Sequence, residues 1–363
     1  MEKKLALVTG ASGFTGGHLC RRLVSAGHRV RALIRDPRLA GELRRQGIET
    51  AQGDLRDPRS LEGALDSVEV VYHIAAAYRQ GSLSRAELFA INVEGTKHLL
   101  DVAIRAGVRR FIHCSTIGVH GSVTNTPANE QSPYAPGDDY QESKMRAEKL
   151  VLEYMAGGRM PIVIFRPVGI YGPGDLRFLK LFKAIQTKRF VMLGSGEVLY
   201  HLIYIDDLID GIVLCATEDR AVGNVYILAG KQPVKLNQLV QVIAEHLGVR
   251  PTRLRLPLTP VYVAGWICEM ICKPFGINPP LYRRRVDFFR KTRSFDISKA
   301  RAELGFEPRT DLQTGVALTA AWYRKNRLLS QAVAGSTIAF VANLNRGVDQ
   351  YSEVFAVMGL ISG

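Results

Sequence analysis

The amino-acid sequence predicts an α/β fold built on a doubly wound parallel sheet of the Rossmann type. Three features predict it: strand-like apolar runs alternate with helical patterns through the first half of the chain, a glycine-rich turn follows the first run, and polar residues collect where later runs end. A sheet of this kind binds its ligands beyond the carboxyl ends of its strands. Ligand contacts are therefore expected at those ends.

The chain opens with a strand, a glycine turn and a helix. An apolar run at 5–8 precedes Gly10, Gly13 and Gly16, and a helical pattern follows. The first glycine permits a sharp turn, the second lets backbone approach a pyrophosphate, and the third lets helix and sheet pack closely. Because the free amides of the helix start would face the phosphates, this stretch predicts a dinucleotide-binding loop, with a purely structural turn as the alternative.

Five more strand-like runs follow, with helical patterns between them. The predicted strands are 28–34, 47–51, 68–74, 111–114 and 162–165, and the clearest helices are 92–106 and 140–155. Strands that alternate with helices form parallel βαβ units, so one sheet with helices on both faces is expected.

Composition places the chain among ordinary globular enzymes. It has 363 residues, 47% of them hydrophobic and 23% charged, enough for one large or two linked domains. The start, Met1 to Lys4, does not resemble a signal peptide, so a cytoplasmic location is expected. The cysteines are scattered without metal-ligand spacing, which predicts reduced thiols and no metal site. They are Cys20, Cys114, Cys215, Cys268 and Cys272.

The net charge of +14 is unusual. Such an excess suits nucleic acid, an anionic membrane surface or an anionic substrate, although a solvated basic face is commoner. The densest basic cluster, at 283–293, is accompanied by no nucleic-acid-binding motif, so no nucleic-acid partner is expected.

The end of the second strand bears on the choice of dinucleotide. A carboxylate there would bind the ribose hydroxyls of NAD, whereas an arginine suits the 2′-phosphate of NADP. Ile34 stands where the acid is expected and Arg35 follows it, which favours NADP over NAD unless Arg35 is only a surface residue. After the third strand, Asp54 is placed to recognise an adenine amino group or, alternatively, to cap a helix starting near Asp57.

The residues able to do chemistry come later. Ser115 and Thr116 end the fifth strand, and Tyr140 and Lys144 stand four apart on one face of a helix start. A phenol titrates near ~10, but a neighbouring ammonium, the helix start and an oxidised nicotinamide would each stabilise the phenolate. Tyr140 is thus predicted as acid or base and Thr116 as the hydroxyl that orients a substrate oxygen. A surface pair is the alternative for Tyr140 and Lys144.

These motifs together resemble the extended short-chain dehydrogenase/reductase superfamily, in particular its NAD-dependent epimerase/dehydratase family. The matching segments are 9–17, 53–55, 73–76, 92–96, 115–116, 140–144, 166–174 and 204–208. The resemblance implies Tyr140 as acid/base, Lys144 as its activator and a ribose ligand, and Thr116 as the orienting hydroxyl with Ser115 beside it. The implied dinucleotide contacts are Gly10, Ser12, Gly13, Phe14, Thr15, Gly16, Arg35, Asp54, Leu55, Ala75, Ala76, Lys144, Pro167 and Val168.

The same resemblance implies a domain organisation. Residues 1–166 would form the dinucleotide-binding domain, with 204–218 packing back on it, and 167–326 a smaller C-terminal region that shapes the substrate pocket. Members are often homodimers, which is expected here. No role is predicted for the tail at 327–363.

Departures from the family pattern narrow the substrate. Sugar-nucleotide 4,6-dehydratases carry an Asp-Glu pair where Ile117 and Gly118 stand, and nucleotide-sugar members tend to carry Asn and Arg where Gly169 and Tyr200 stand. In those families the Asp-Glu pair serves the elimination of water, and the Asn and Arg bind the pyrophosphate of the substrate. The remaining pattern resembles 3β-hydroxysteroid and sterol-carboxylate dehydrogenases, with dihydroflavonol reductases nearby. It implies hydride transfer at a secondary alcohol or ketone of a lipophilic substrate. A nucleotide-sugar epimerase or reductase is the first alternative, and a non-catalytic nucleotide-binding regulator is the second.

Two further features have open interpretations. The apolar stretch 261–271 is too short to span a bilayer and contains Glu269, so it would be a core helix, the wall of a hydrophobic pocket or, with the arginines after Pro280, a peripheral membrane contact. His73, His113 and His120 lie near strand ends without metal-ligand spacing, and are expected to be hydrogen-bonded pocket or core residues.

Overall fold

The structure, a computed structural model, describes residues 4–78, 83–123, 126–272, 274, 279, 281 and 286–330. The strands are β1 (Leu5–Thr9), β2 (Arg29–Ile34), β3 (Glu49–Gln52), β4 (Val70–His73), β5 (Arg110–Cys114), β6 (Ile162–Pro167), β7 (Gly169–Tyr171), β8 (Met192–Leu193), β9 (Leu199–Tyr200), β10 (Leu202–Tyr204), β11 (Val225–Leu228), β12 (Val234–Lys235) and β13 (Arg255–Leu256). The α-helices are α1 (Phe14–Ser25), α2 (Ala40–Arg45), α3 (Arg59–Glu62), α4 (Arg85–Phe89), α5 (Gly95–Arg105), α6 (Asp139–Ala156), α7 (Leu179–Gln186), α8 (Ile205–Thr217), α9 (Leu236–Leu247), α10 (Leu258–Cys272), α11 (Ser298–Leu304) and α12 (Leu312–Lys325). A π-helical segment precedes α5 at Ala90–Glu94.

A parallel sheet of seven strands organises the described residues, in the order β11, β6, β5, β4, β1, β2, β3. Every neighbouring pair of these strands is parallel. The strand order reverses between β1 and β4, and sheets of this class bind ligands at that switch point. The predicted fold class is confirmed, and the six predicted strands are present with ends that differ by at most two residues.

Two elements differ from the sequence prediction. The seventh strand, β11, was missed: it is a buried apolar run of four residues at the sheet edge beside β6, and a run this short has no period that separates strand from helix. The helix predicted at 92–106 begins within the π-helical segment Ala90–Glu94, and the regular α-helix starts only at Gly95.

Rows of buried side chains in register form the core on one side of the sheet. Leu7, Val71, Phe111 and Ile162 stand side by side on four neighbouring strands and pack with buried residues of α5 and α6. Because side chains alternate between the two faces of a sheet, residues two positions further along share this side. They form a polar row near the carboxyl end, namely Thr9, His73 and His113.

The chain divides into two compact units. The first comprises Met1–Ile170, His201–Gln232 and Ser294–Arg309, and it contains the seven-stranded sheet and every predicted catalytic or cofactor-contacting residue. The second comprises Tyr171–Tyr200, Pro233–Arg293 and Thr310–Gly363. Pro280, residues 283–285 of the basic cluster and the tail from residue 331 lie outside the described residues.

The apolar segment near residue 260 forms α10, and the prediction of a core helix there is wrong. Only Gly265 and Glu269 of its fifteen residues are buried. Large apolar side chains are instead exposed along it, because the described part of the second unit does not cover this face. Across the described ranges, no helix is both long enough and apolar enough to cross a bilayer.

Candidate active site

The glycine turn after β1 has the geometry of a phosphate cradle. Gly10 has φ +72°, and a Cβ there would lie 2.9 Å from the backbone nitrogen of Ala75. A Cβ on Gly16 would lie 2.1 Å from the carbonyl oxygen of Gly10, so only glycine allows α1 to start this close to β1. Within the described residues, no side chain caps α1 and no acid lies in its first turn. A helix start with neither a side-chain cap nor an acid fits the pyrophosphate of a dinucleotide.

Hydrogen bonds of His73 hold the backbone that faces this turn. Its Nε2 lies 2.9 Å from the hydroxyl of Thr96, and that hydroxyl donates its hydrogen to the carbonyl of Asn92 over 2.7 Å. The Nε2 atom must therefore carry the proton, which leaves Nδ1 to accept from the Thr9 hydroxyl at 2.9 Å. Thr9 in turn accepts the N–H of Ala75 over 3.0 Å, so the backbone facing Gly10 is held in place.

The three histidines near strand ends are uncharged for the same physical reason. Burial lowers the pKa of His73 to about 3 and lowers those of His113 and His120 as well. His120 donates from Nδ1 to the carbonyl of Pro133 over 3.1 Å. The expectation of hydrogen bonds thus holds for His73 and His120 but is wrong for His113, neither of whose ring nitrogens has a partner in the described part of the chain.

Asn92, in the π-helical segment, ties the loop after β4 to the helix that carries Tyr140. Its amide oxygen accepts the N–H of Ala77 over 2.7 Å, and its amide nitrogen donates to the carbonyl of Ala77 over 3.1 Å. The same nitrogen donates to the hydroxyl of Ser143 over 2.9 Å, and that hydroxyl donates to the Tyr140 carbonyl. Asn92 belongs to the motif at 92–96, and its sequence context alone predicts no role for it.

Tyr140 and Lys144 lie on the first turns of α6. The Asp138 carboxylate accepts the N–H of Gln141 over 2.8 Å, and this cap sets the start of the helix. The Tyr140 ring packs edge to face on Tyr78 with centroids 4.7 Å apart. Lys144 is buried, with its Nζ donating to the Cys114 carbonyl at 2.6 Å, and burial lowers the pKa of its ammonium.

The two hydroxyls after β5 have different surroundings. Thr116 is half-buried and its oxygen accepts the N–H of Gly118 over 3.1 Å, which leaves its hydrogen for another acceptor. Ser115 is buried and donates its hydrogen to the carboxylate of Glu148. The Thr116 hydroxyl therefore keeps a hydrogen that it can donate, whereas the Ser115 hydroxyl is already used inside the protein.

The ends of β2 and β3 carry a cluster of charges. Arg35 is exposed directly after the last residue of β2, and its charge helps to lower the pKa values of Asp36 and Asp54, whose main partners are Arg38 and Arg56. Asp54 does not cap α3, contrary to one alternative. Its carboxylate accepts the N–H of Arg56 over 3.0 Å, because the chain turns there before the helix begins.

The remaining predicted cofactor contacts lie where the sheet geometry places them, on segments that follow β1, β3, β4 and β6. They are Ser12, Gly13, Phe14, Thr15, Leu55, Ala76, Pro167 and Val168. Pro167 is the last residue of β6. Their contacts with a dinucleotide, like the catalytic roles of Tyr140 and Thr116, remain predictions.

Comparison with known proteins identifies the family. Residues 6–229 match the NAD dependent epimerase/dehydratase family. Sterol demethylase protein B from Methylococcus capsulatus is 30% identical over 335 residues, covering 89% of this chain and 99% of that protein. The 3 beta-hydroxysteroid dehydrogenase/Delta 5-->4-isomerase of Mycobacterium tuberculosis is 31% identical over 355 residues, covering 92% and 95%. The structure of MoeE5 in complex with UDP-glucuronic acid and NAD is 26% identical, with a TM-score of 0.69 and coverage of 88% and 99%.

These alignments agree with the motifs in the sequence and with the parallel sheet. Both curated relatives align over nearly their full length, so the likeness extends beyond the glycine loop and the strands. Because the family match also spans more than half of the chain, the protein belongs to the NAD dependent epimerase/dehydratase family, as its sequence predicted.

Proposed function

We propose that this protein is an NAD(P)-dependent oxidoreductase that transfers hydride at a secondary alcohol or ketone of a lipophilic, 3β-hydroxysteroid-like or sterol-like substrate. The main support is the placement of Thr116 after β5 and of Tyr140 and Lys144 on the first turns of α6. Lys144 also donates to the Cys114 carbonyl, which holds the end of β5. The names of the two relatives, a sterol demethylase protein and a 3 beta-hydroxysteroid dehydrogenase, support this substrate class over a dihydroflavonol.

The residues divide the chemistry between them. When bound, a nicotinamide dinucleotide supplies the hydride acceptor or donor. In alcohol oxidation, the Tyr140 phenolate takes the hydroxyl proton as hydride leaves the carbon, and in ketone reduction the phenol returns that proton to the oxygen. The Lys144 ammonium stabilises the phenolate, and the Thr116 hydroxyl donates a hydrogen bond that holds the substrate oxygen in line.

NADP is the proposed form of the dinucleotide, with NAD as the alternative. Arg35 supports NADP because it is exposed directly after β2, and because Ile34, where a carboxylate for the ribose hydroxyls is expected, offers none. Two more arginines, Arg38 and Arg56, lie in the same charge cluster, although each pairs with an aspartate. The cluster therefore keeps one arginine more than it has acids, which suits a 2′-phosphate.

A nucleotide-sugar epimerase or reductase is the second candidate, supported by the likeness to MoeE5, whose structure holds UDP-glucuronic acid and NAD. Two positions argue against it. Gly169 has no side chain to donate, and the hydroxyl of Tyr200 donates to the Phe288 carbonyl. A diphosphate would therefore lack two donors that members acting on nucleotide sugars tend to supply.

We also propose a peripheral contact with an anionic membrane through α10. Five large apolar side chains stand at helical spacing along it and are 45–61% exposed: Val263, Trp266, Ile267, Met270 and Ile271. Arg290 lies over the ring of Tyr262 at 4.6 Å, so a cation flanks the apolar stripe. An apolar stripe beside basic residues fits a bilayer with negative headgroups.

The homodimer remains a prediction. The same apolar stripe on α10 is an alternative contact surface for it.

Turnover by a Tyr140→Phe variant tests the proposed chemistry. The protein, loaded with NADP or NAD, is screened against 3β-hydroxysteroids, flavonoids and nucleotide sugars by nicotinamide absorbance. Steroid turnover that Tyr140→Phe abolishes, with dinucleotide affinity retained, supports the proposal. Preference for a UDP-sugar supports the second candidate, and absence of turnover with every substrate supports the non-catalytic regulator. Unchanged turnover in Tyr140→Phe discards the mechanism.

A further inference from the structure

Two side chains of α6, one helical turn apart, hold the end of β5. The Nζ of Lys144 donates to the Cys114 carbonyl over 2.6 Å, and the Glu148 carboxylate accepts a hydrogen bond from the Ser115 hydroxyl. The next residue is Thr116, whose hydroxyl is the proposed donor to the substrate. The backbone is therefore fixed at two consecutive residues immediately before the group that must be placed accurately.

Glu148 can hold Ser115 because its own position is strongly determined. It is 0% exposed and forms a salt bridge with Arg166, which is 2% exposed. The Nε of Arg166 lies 3.1 Å from both carboxylate oxygens, and the Tyr134 hydroxyl donates to Oε1 over 2.6 Å. Ser115 donates to the other oxygen, Oε2. The carboxylate thus receives donors on both oxygens and has little freedom to move.

The guanidinium of Arg166 is equally constrained. One Nη1 hydrogen goes to the Glu130 carbonyl over 2.8 Å and the other to Nε2 of His120 over 3.0 Å. The Nη2 hydrogens go to Glu148 and to the Tyr134 oxygen. Because all five N–H donors have acceptors, the arginine anchors Glu148 to β6 without an unsatisfied group.

The charges agree with this geometry. Burial by itself would raise the pKa of Glu148, but hydrogen bonds from Arg166, Ser115 and Tyr134 outweigh it and hold the pKa below its usual value. Burial lowers the pKa of Lys144, and the charge of Glu148 opposes that shift. Glu148 therefore also favours the ammonium that the proposed mechanism requires.

We infer that Ser115 and Glu148 are positioning residues for the proposed reaction: Glu148, one helical turn from Lys144 and fixed by Arg166, holds Ser115 and thereby places the hydroxyl of Thr116. The inference rests on the proposed function. It gives Ser115, which the resemblance places beside Thr116 among the catalytic residues, a role exerted through the backbone of Thr116.

Two variants separate positioning from simple stabilisation. Ser115→Ala removes the donor to Oε2, and Tyr134→Phe is its matched control because it removes a donor from Oε1 of the same carboxylate. With a 3β-hydroxysteroid, Ser115→Ala is expected to lower kcat about tenfold or more, while KM for the dinucleotide changes less than about twofold and Tyr134→Phe keeps kcat within about twofold. Ser115→Thr, which retains a hydroxyl, is expected to recover most of the loss.

Hydrogen exchange gives a readout that needs no substrate. Ser115→Ala should speed exchange of the amides at 116–121 relative to both the parent and Tyr134→Phe, because only that variant releases this turn. Equal losses of kcat in the two variants, or parental exchange at 116–121 in Ser115→Ala, would overturn the inference. Failure of the proposed function is distinct: Tyr140→Phe would retain turnover or the parent would show none, while the exchange comparison would still decide the positioning role.

Discussion

The hydroxyl oxygen of Thr9, at the end of β1, lies 2.9 Å from Nδ1 of His73, at the end of β4. This contact crosses the switch point of the sheet, and in it the Nδ1 atom of the neutral imidazole accepts the hydroxyl hydrogen. A proton added to Nδ1 would face that hydrogen unless the hydroxyl turned it away. The glycine turn is therefore supported by a group whose protonation the fold opposes.

Acid should destabilise the protein through His73. Burial lowers the pKa of His73 from 6.5 to about 3, so the unfolded chain binds a proton more readily than the folded one. The stabilisation is complete above the unfolded pKa and is lost as pH falls from near 6.5 towards 3. At pH 5.5 the loss is about 1.4 kcal/mol in the free energy of unfolding. Urea unfolding at pH 7.5 and 5.5 measures it.

A His73→Gln variant should remove that part of the pH dependence. Glutamine can donate and accept on one side chain but does not titrate, so the difference between the two pH values should shrink by about 1.4 kcal/mol. His28→Gln, which removes an imidazole outside this network, is the control. If His73→Gln kept the parental difference, the acid sensitivity would have to be assigned to the other buried histidines.

Alanine at Gly16 should disable dinucleotide binding. Its Cβ would lie 2.1 Å from the Gly10 carbonyl oxygen, a contact that only a shift of α1 or of the turn can relieve. We expect the Kd for the dinucleotide to rise more than about tenfold and the free energy of unfolding to fall by about 1–3 kcal/mol. Calorimetric titration and urea unfolding measure these changes.

Gly41→Ala is the matched control for Gly16→Ala. A Cβ at Gly41 meets nothing within 4 Å, and the residue lies inside α2, where alanine suits the helix better. Its dinucleotide Kd should stay at the parental value. Parental affinity in Gly16→Ala would show that the turn is only structural.

The sequence was sufficient for features that depend on neighbouring residues. The glycine spacing from Gly10 to Gly16, and the four-residue spacing of Tyr140 and Lys144, are local patterns with a known geometric meaning. The His73 network could not be predicted, because its partners Thr9 and Thr96 are 64 and 23 residues away. Composition around a histidine does not reveal which hydroxyls the sheet register brings to it.

The wrong predictions have the same origin. A core helix was a reasonable interpretation of α10 because its apolar content is high, but burial depends on what packs against a helix and not on its composition. Asp54 precedes a helix start, yet its carboxylate is held by Arg56 before α3 begins. His113 occupies a buried strand position whose neighbours happen to offer it no hydrogen-bond partner among the described residues.

Arg35 should control the choice between NADP and NAD. Arg35→Asp removes the cation expected at the 2′-phosphate and supplies a carboxylate for the ribose hydroxyls. We expect NADP affinity to fall about tenfold or more and NAD affinity to hold or improve. Arg45→Asp, an exposed charge reversal in α2, controls for the change in net charge. Equal weakening of NADP by the two variants would assign Arg35 to the surface.

The apolar stripe of α10 should bind vesicles that carry negative headgroups. Apolar side chains enter the headgroup region, and the cations around Arg290 add an attraction that salt screens. We expect the parent to co-sediment with phosphatidylglycerol vesicles at low salt, less so at high salt, and weakly with phosphatidylcholine. A variant with Ile267→Glu and Ile271→Glu should bind vesicles at least about tenfold more weakly. Each change replaces an isoleucine, whose burial is worth about 1.5–3 kcal/mol, by a charged side chain.

Leu176→Glu with Leu318→Glu is the matched control, because these leucines are 58% and 46% exposed but lie outside α10. It adds the same two charges, so a purely electrostatic effect would weaken both variants equally and contradict the assignment to α10. The parent could instead fail to bind vesicles and sediment as a dimer, with Ile267→Glu and Ile271→Glu together converting it to a monomer. That result would make the stripe a contact between two copies of the chain. A parent that stays monomeric and unbound at low salt rules out both uses of this face.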